Sequence, residues 1–149
     1  MTSGNGFSIS LNLIDCIKKH VPKEGTILEF GSGEGTKWLV AEGYNLVSIE
    51  QNALFLNLYH NNYCHAPLKD GWYDLEILHR FLENKEYDAI LIDGPAAGKR
   101  MNILEAKIDF NKIIFVDDID RPADRDLFSK LSEGKKSEDF KSYGVIFND

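Results

Sequence analysis

Apolar residues along this chain fall into short continuous runs, and between the runs they recur at helical spacing. Runs near 27–30, 45–50, 62–66, 87–92 and 112–117 have the length and near-unbroken hydrophobicity of strands covered on both faces. Patterns near 35–42, 52–59, 72–83 and 99–107 predict helices between them. A helix is also predicted ahead of the first strand. Ser8 or Ser10 can cap it, Ile9, Leu13, Ile14, Ile17 and Val21 form its inner face, and Pro22 and Gly25 end it. Later in the chain, Asp120 is placed to cap a helix with Pro122 in its first turn and Leu127, Phe128 and Leu131 facing inward. Phe140 to Phe147 gives one last strand. Alternating strands and helices with short connections predict one α/β domain over residues 1–149, a doubly wound, mostly parallel sheet with helices on both faces.

Ligands of such sheets bind beyond the carboxyl ends of the strands, and the chemistry-bearing residues gather there. The first strand, Ile27 to Phe30, carries a single acid, Glu29, and runs into Gly31-x-Gly33-x-Gly35. Three missing side chains let a ligand lie against bare backbone, and the helix that begins at Thr36 would aim free N–H groups at it. A dinucleotide fingerprint of the Gly-x-Gly-x-x-Gly kind would need glycine at Thr36, so the spacing disfavours a nicotinamide cofactor. Ser32 and Thr36 share the turn as candidate contacts. The second strand, Asn45 to Glu50, closes on an acid about 20 residues past the motif, where an acid accepts hydrogen bonds from ribose hydroxyls. Glu50 is the candidate ribose ligand, with Gln51 beside it.

Further acids stand at the ends of the next strands, Asp93 in Ile92-Asp93-Gly94-Pro95 and Asp117-Asp118 after Val116. A general base or a metal is needed wherever an alcohol must lose its proton, and three converging carboxylates suit a hard divalent cation with oxygen ligands. Asp93, Asp117 and Asp118 are therefore candidate metal ligands, Asp93 and Asp117 candidate catalytic groups, and Asp93 also a candidate cofactor contact; Asp118 or Asp120 could instead only cap the following helix. His65, off the third strand, is a candidate for the adenine side or for a base, against a purely structural role. Trp72 and Tyr73 could wall an acceptor site or belong to the core. Arg100 and Arg121 are the cations placed to meet an anion or to pair with Asp93 and Asp118.

Composition narrows the classes. The chain has 149 residues, 43% of them hydrophobic, enough for one core. No run approaches the roughly 18–20 apolar residues of a membrane span, and the first 20 residues lack a signal-peptide pattern. Cys16 and Cys64 stand alone without metal-ligand spacing, which suits buried thiols in a reducing, cytoplasmic compartment. A net charge of −7 argues against a nucleic-acid partner. A homo-oligomer or a partner subunit stays open.

Glu29 with Gly31, Gly33 and Gly35, then Glu50, Asp93-Gly94-Pro95 and Asp117-Asp118 resemble, in order and spacing, the motifs of class I S-adenosylmethionine (SAM)-dependent methyltransferases, over nearly all of residues 8–131. The resemblance implies a Rossmann-like fold, SAM as cofactor and methyl transfer. Glu29 and the glycines would hold its methionine end, Glu50 the ribose, and His65 would lie near the adenine. The Asp-Gly-Pro turn, Arg100 and Val-Asp-Asp-Ile-Asp-Arg at 116–121 are similar to glucuronoxylan-type polysaccharide O-methyltransferases, which implies a glycan or small-molecule oxygen acceptor. Asp93 with Asp117-Asp118 is also similar to the catechol-type enzymes, whose divalent cation is commonly held with Asp-Asn, where this chain has Asp118. Family members usually end in an antiparallel strand pair; with one strand expected past residue 131, this chain reads as truncated there. A SAM-binding module without catalysis and a nicotinamide-dependent oxidoreductase are the rival readings.

Overall fold

A computed structural model of the chain describes residues 10–95 and 99–148. Its main sheet has seven strands. Five are parallel: β1 (Thr26–Phe30), β2 (Asn45–Glu50), β3 (Tyr63–His65), β6 (Ala89–Ile92) and β7 (Ile113–Asp117). Two more, β8 (Ser137–Asp139) and β9 (Tyr143–Ile146), join as an antiparallel pair, giving the order β3-β2-β1-β6-β7-β9-β8. The chain winds outward from β1 to β3 and then returns to lay β6 against the other side of β1. The switch point therefore lies between β1 and β6, where a crevice opens at the carboxyl ends.

Side-chain alternation on β1 and β2 sorts the core into two layers. Ile27 and Leu46 face α1 (Leu11–His20) and α2 (Glu34–Ala41), packing with Leu13, Ile17 and Leu39. Leu28, Phe30, Val47 and Ile49 face the other way, toward α3 (Leu75–Leu82) and α4 (Pro122–Leu131), with Leu78, Leu127 and Phe128. The polar pair Glu29 and Ser48, opposite each other in register, falls by the same alternation on the α1/α2 side. Ser10 caps α1 by accepting from the Leu13 N–H at 3.1 Å; the alternative cap Ser8 and the face residue Ile9 lie outside the described residues.

The doubly wound sheet with helices on both faces is as the apolar pattern predicts, and the departures have local causes. A hairpin replaces the single strand expected over 140–147, so the antiparallel pair is present rather than missing. β8 reads Ser-Glu-Asp and is exposed throughout; it is held by backbone pairing to β9, which leaves no apolar signal. The stretch 52–59 forms only a 3₁₀ turn, Ala53–Phe55, capped by the Asn52 side chain, and Asn57 at φ 55° breaks any continuation. Its apolar residues are not core: Leu54 is 83% exposed. Before α3, β4 (Leu68–Lys69) and β5 (Trp72–Tyr73) form a small hairpin turned by Asp70-Gly71 at φ 57° and 90°, an Asp-Gly signal for such a turn. Asp74 then caps α3, so that helix begins three residues later than its apolar pattern predicts. Residues Arg100–Glu105 form a 3₁₀ segment in place of a longer helix. Arg121, not Asp120, stands at the cap of α4, with Pro122 as its first residue. Among the described residues no helix is long and apolar enough to cross a membrane.

Candidate functional site

The glycine turn sits at the switch point. Gly31 leaves β1 at φ 93°, and a Cβ there would stand 2.9 Å from the Asp93 carbonyl oxygen. A Cβ on Gly94 would in turn meet the Gly31 Cα at 2.9 Å, so the ends of β1 and β6 approach as closely as two bare backbones can. Gly33 is the cap of α2, and its N–H donates to Thr36 Oγ1 at 3.1 Å in place of a missing cap side chain. Gly35 and Thr36 are buried in the first turn of α2. Ser32 Oγ lies 3.0 Å from Thr36 Oγ1 and 2.8 Å from the Tyr63 hydroxyl, which ties the turn to the start of β3.

Glu29 is buried beneath this turn and accepts from Thr36 Oγ1 at 2.7 Å and Ser48 Oγ at 2.5 Å. Behind Ser48 stands His60, with Nε2 at 2.7 Å from the serine oxygen. The Asn62 N–H donates to His60 Nδ1 at 2.9 Å, so Nε2 carries the ring proton and donates onward to Ser48. Burial lowers the His60 pKa to about 4 and keeps the ring neutral. Burial likewise raises Glu29 to about 7, against the hydrogen bonds from Ser48 and Thr36 that favour its charge. The carboxyl group thus fixes the turn and the start of α2 through Thr36. Ser48 and His60 went unnoticed in the sequence, although Ser48 is the one polar residue between Leu46 and Ile49 and faces Glu29 in register, which could have marked it.

Glu50 closes β2 with both oxygens engaged. Oε1 accepts from the Ser32 N–H at 2.8 Å and Oε2 from the Asn52 N–H at 2.7 Å, so β2 and the glycine turn are held together at the crevice. Each carboxylate oxygen keeps a second lone pair for a ligand. Gln51 follows, half-buried, with its carbonyl 3.2 Å from His65 Nε2. His65 pairs in register with Glu50 and is exposed. Three strand spacings, roughly 14 Å, separate β3 from β6. The structure therefore gathers Glu50, Gln51 and His65 on one side of the crevice and does not bring His65 to Asp93.

On the other side, Asp93, Asp117 and Asp118 each offer a carboxylate oxygen, all within 4.8 Å of one another. Burial and the neighbouring Asp117 charge push Asp93 well above the usual carboxylate range, and its carboxyl hydrogen-bonds Asp117. Burial and Asp118 raise Asp117 to about 6. At neutral pH the pair therefore keeps a proton that ordinary aspartates have lost. Asp118, at φ 62°, turns its side chain to the buried Arg100, whose Nη1 donates to Oδ2 at 3.0 Å. Arg100 Nη2 also donates to the Asp93 carbonyl at 3.1 Å, so a single guanidinium clamps the ends of β6 and β7. Asp124 lies 3.7 Å from the same Nη1, and Arg121 lies 3.7 Å from Asp118.

No family model and no curated protein matches the chain. Solved structures do. A TehB-like SAM-dependent methyltransferase from Corynebacterium glutamicum aligns over 97% of this chain and 86% of its own, with TM-score 0.51 and 12% identity. MycE, a methyltransferase of the mycinamycin biosynthetic pathway in complex with Mg and S-adenosylhomocysteine (SAH), aligns over 92% of this chain with TM-score 0.61 and 9% identity. The chain has the class I methyltransferase fold. It spans 45% of the length of MycE. The antiparallel strand pair usual in that class is β8–β9, and the glycine turn, Glu50 and the acid pair occupy neighbouring carboxyl ends of its sheet.

Proposed function

We propose that this protein is a SAM-dependent methyltransferase acting on an oxygen acceptor, with a glycan or small metabolite as the acceptor class that the sequence resemblance implies. The observation that carries the reading is the convergence of the glycine turn, Glu50 and the Asp93–Asp117 pair on the adjacent ends of β2, β1, β6 and β7. Gly31 to Thr36 and the start of α2 would receive the methionine end, Glu50 the ribose, and Gln51 and His65 the adenine side.

Methyl transfer from a sulfonium is an in-line displacement, so the protein contributes mainly by orienting and desolvating the acceptor. SAM, when bound, would supply the methyl group to the acceptor oxygen and leave as SAH, with Gly31 to Thr36 and Glu50 holding it. The hydroxyl proton passes to the ionised member of the acid pair, Asp117, which Asp93 orients through their shared hydrogen bond.

A divalent cation is the second reading, favoured by the three clustered carboxylate oxygens. Their donor type fits a hard ion, and such an ion would supply Lewis-acid activation of the acceptor oxygen. Asp118 would first have to leave Arg100, which already neutralises it. Arg100 and the shared proton supply the charge compensation a cation would bring, and the metal-free reading is preferred on that ground.

The deciding experiment titrates the protein with SAH and with NAD by calorimetry, alongside Glu50→Gln. SAH binding that weakens by about 1–3 kcal/mol in the variant supports the reading. NAD binding in its place would turn the assignment to the oxidoreductase. SAH binding without methyl transfer across a broad acceptor screen would turn it to a binding module.

A further inference from the structure

Tyr73 closes β5 and is 1% exposed, with its ring against Phe30 and Trp72 at centroid distances of 5.9 and 5.1 Å. Its hydroxyl is the one buried side-chain polar atom without a hydrogen-bond partner among the described residues. Folded proteins satisfy nearly all such groups, because a buried hydroxyl left unpaired costs about 1–3 kcal/mol. The ring belongs to the apolar core, and the hydroxyl stands at the end of that core nearest the strand ends. It lies at the crossing of Gly31 and Gly94, 2.7 Å from where a Gly94 Cβ would stand, at the switch point of the sheet. Of the surrounding charges Glu50 acts on it most strongly, followed by Arg100, Asp93 and Glu29. Burial raises its pKa well above the ordinary phenol value, so it remains a donor at any physiological pH.

We propose that the Tyr73 hydroxyl is a ligand-binding donor, left unpaired in the free protein for a ribose hydroxyl that Glu50 holds from the other side. The chemistry is complementary. A ribose hydroxyl both donates and accepts; the Glu50 carboxylate can only accept, and the phenol supplies the missing donor. The inference rests on the reading of the crevice as an adenosine-cofactor site. Its rival is a trapped water that satisfies Tyr73 whether or not a ligand is present.

The test is Tyr73→Phe, which deletes one oxygen and keeps the ring. Calorimetry would measure SAH, adenosine and 2′,3′-dideoxyadenosine, which lacks the 2′ and 3′ hydroxyls, against wild type and variant, with melting temperatures of the free proteins. The expected result is a variant at least as stable as wild type when free, with SAH and adenosine weakened about tenfold and dideoxyadenosine unchanged. The wild-type preference for adenosine over dideoxyadenosine should shrink by that factor, and this ratio is independent of any change in folding stability. An unaltered ratio with wild-type SAH binding intact overturns the inference and leaves the cofactor site standing. A variant that loses stability with the ratio unaltered identifies the trapped water. Wild-type protein that binds neither SAH nor adenosine overturns the cofactor reading and the inference together.

Discussion

Asp93 and Asp117, at the ends of the neighbouring strands β6 and β7, are hydrogen-bonded carboxyl groups that hold one proton between them. Burial disfavours two charges in this place, and the proton is retained at a pH where ordinary aspartates have lost theirs. Asp93→Asn keeps the shape and the donor but removes the titration. The variant should be more stable than wild type at neutral pH, since its folded state no longer has to hold a proton that the unfolded chain gives up. Asp117→Asn instead removes the proton acceptor, and methyl transfer should fall by about 10²-fold in it with SAM affinity unchanged. Wild-type transfer should also rise with pH through about 6, as Asp117 ionises. Single-turnover rates and urea unfolding check both halves; full activity in Asp117→Asn removes the pair from the chemistry.

Arg100 makes a chelation experiment informative. Its guanidinium already meets Asp118 and the Asp93 carbonyl, so the acid cluster is compensated without an ion. Transfer activity is expected to survive exhaustive EDTA treatment. Loss of activity restored by Mg²⁺ would favour the cation reading, with Asp93, Asp117 and Asp118 as its ligands.

Glu29 predicts a pH dependence of stability. Burial raises its pKa from 4.5 to about 7, so the folded state binds a proton that the unfolded chain releases at lower pH. That contribution is fully present below about pH 4.5 and is lost as pH rises toward 7, a change of about 3 kcal/mol. His60 works oppositely, its pKa being lowered from 6.5 to about 4, so the two largely cancel across their common window. In Glu29→Gln the cancellation is gone. Relative to wild type, the variant should gain about 3 kcal/mol between pH 4.5 and 7, whatever its offset at low pH. Urea unfolding at several pH values measures this, and a constant offset would contradict it.

Gly144 tests the hairpin that the apolar pattern did not reveal. A Cβ at this position of β9 would fall within contact distance of the Phe128 ring on α4. Gly144→Ala should cost about 1–3 kcal/mol through overpacking. A neutral substitution in a thermal melt would mean that β9 does not pack there.

Much of the fold was legible because parallel strands covered on both faces must be apolar almost throughout, as Ile27-Leu28, Ile90-Leu91-Ile92 and Ile114-Phe115-Val116 are. The same rule hid β8, an exposed Ser-Glu-Asp edge strand held by backbone pairing to β9 and by the Asp139–Arg125 ion pair, with no apolar contact to mark it. It also misled over 52–59, where Leu54 and Leu58 are apolar yet exposed. Acids at strand ends were legible, and so was the glycine turn, because each breaks an apolar run. Ser48 and His60 were not, because a hydrogen-bond chain across β1 and β2 depends on register rather than on spacing along the chain.

The sequence by itself determined the five parallel strands, their acids and the glycine turn, because local apolar periodicity and side-chain-free positions are properties of neighbouring residues. Only the tertiary structure decided which of those acids act together. Placing β7 beside β6 joined Asp93 to Asp117 and to Arg100, and placing β6 beside β1 left His65 three strands from Asp93 and set the Tyr73 hydroxyl unpaired against Gly94. The physical reason is that pairing between distant strands, and the burial it imposes, fixes whether a carboxyl keeps its proton and whether a hydroxyl finds a partner.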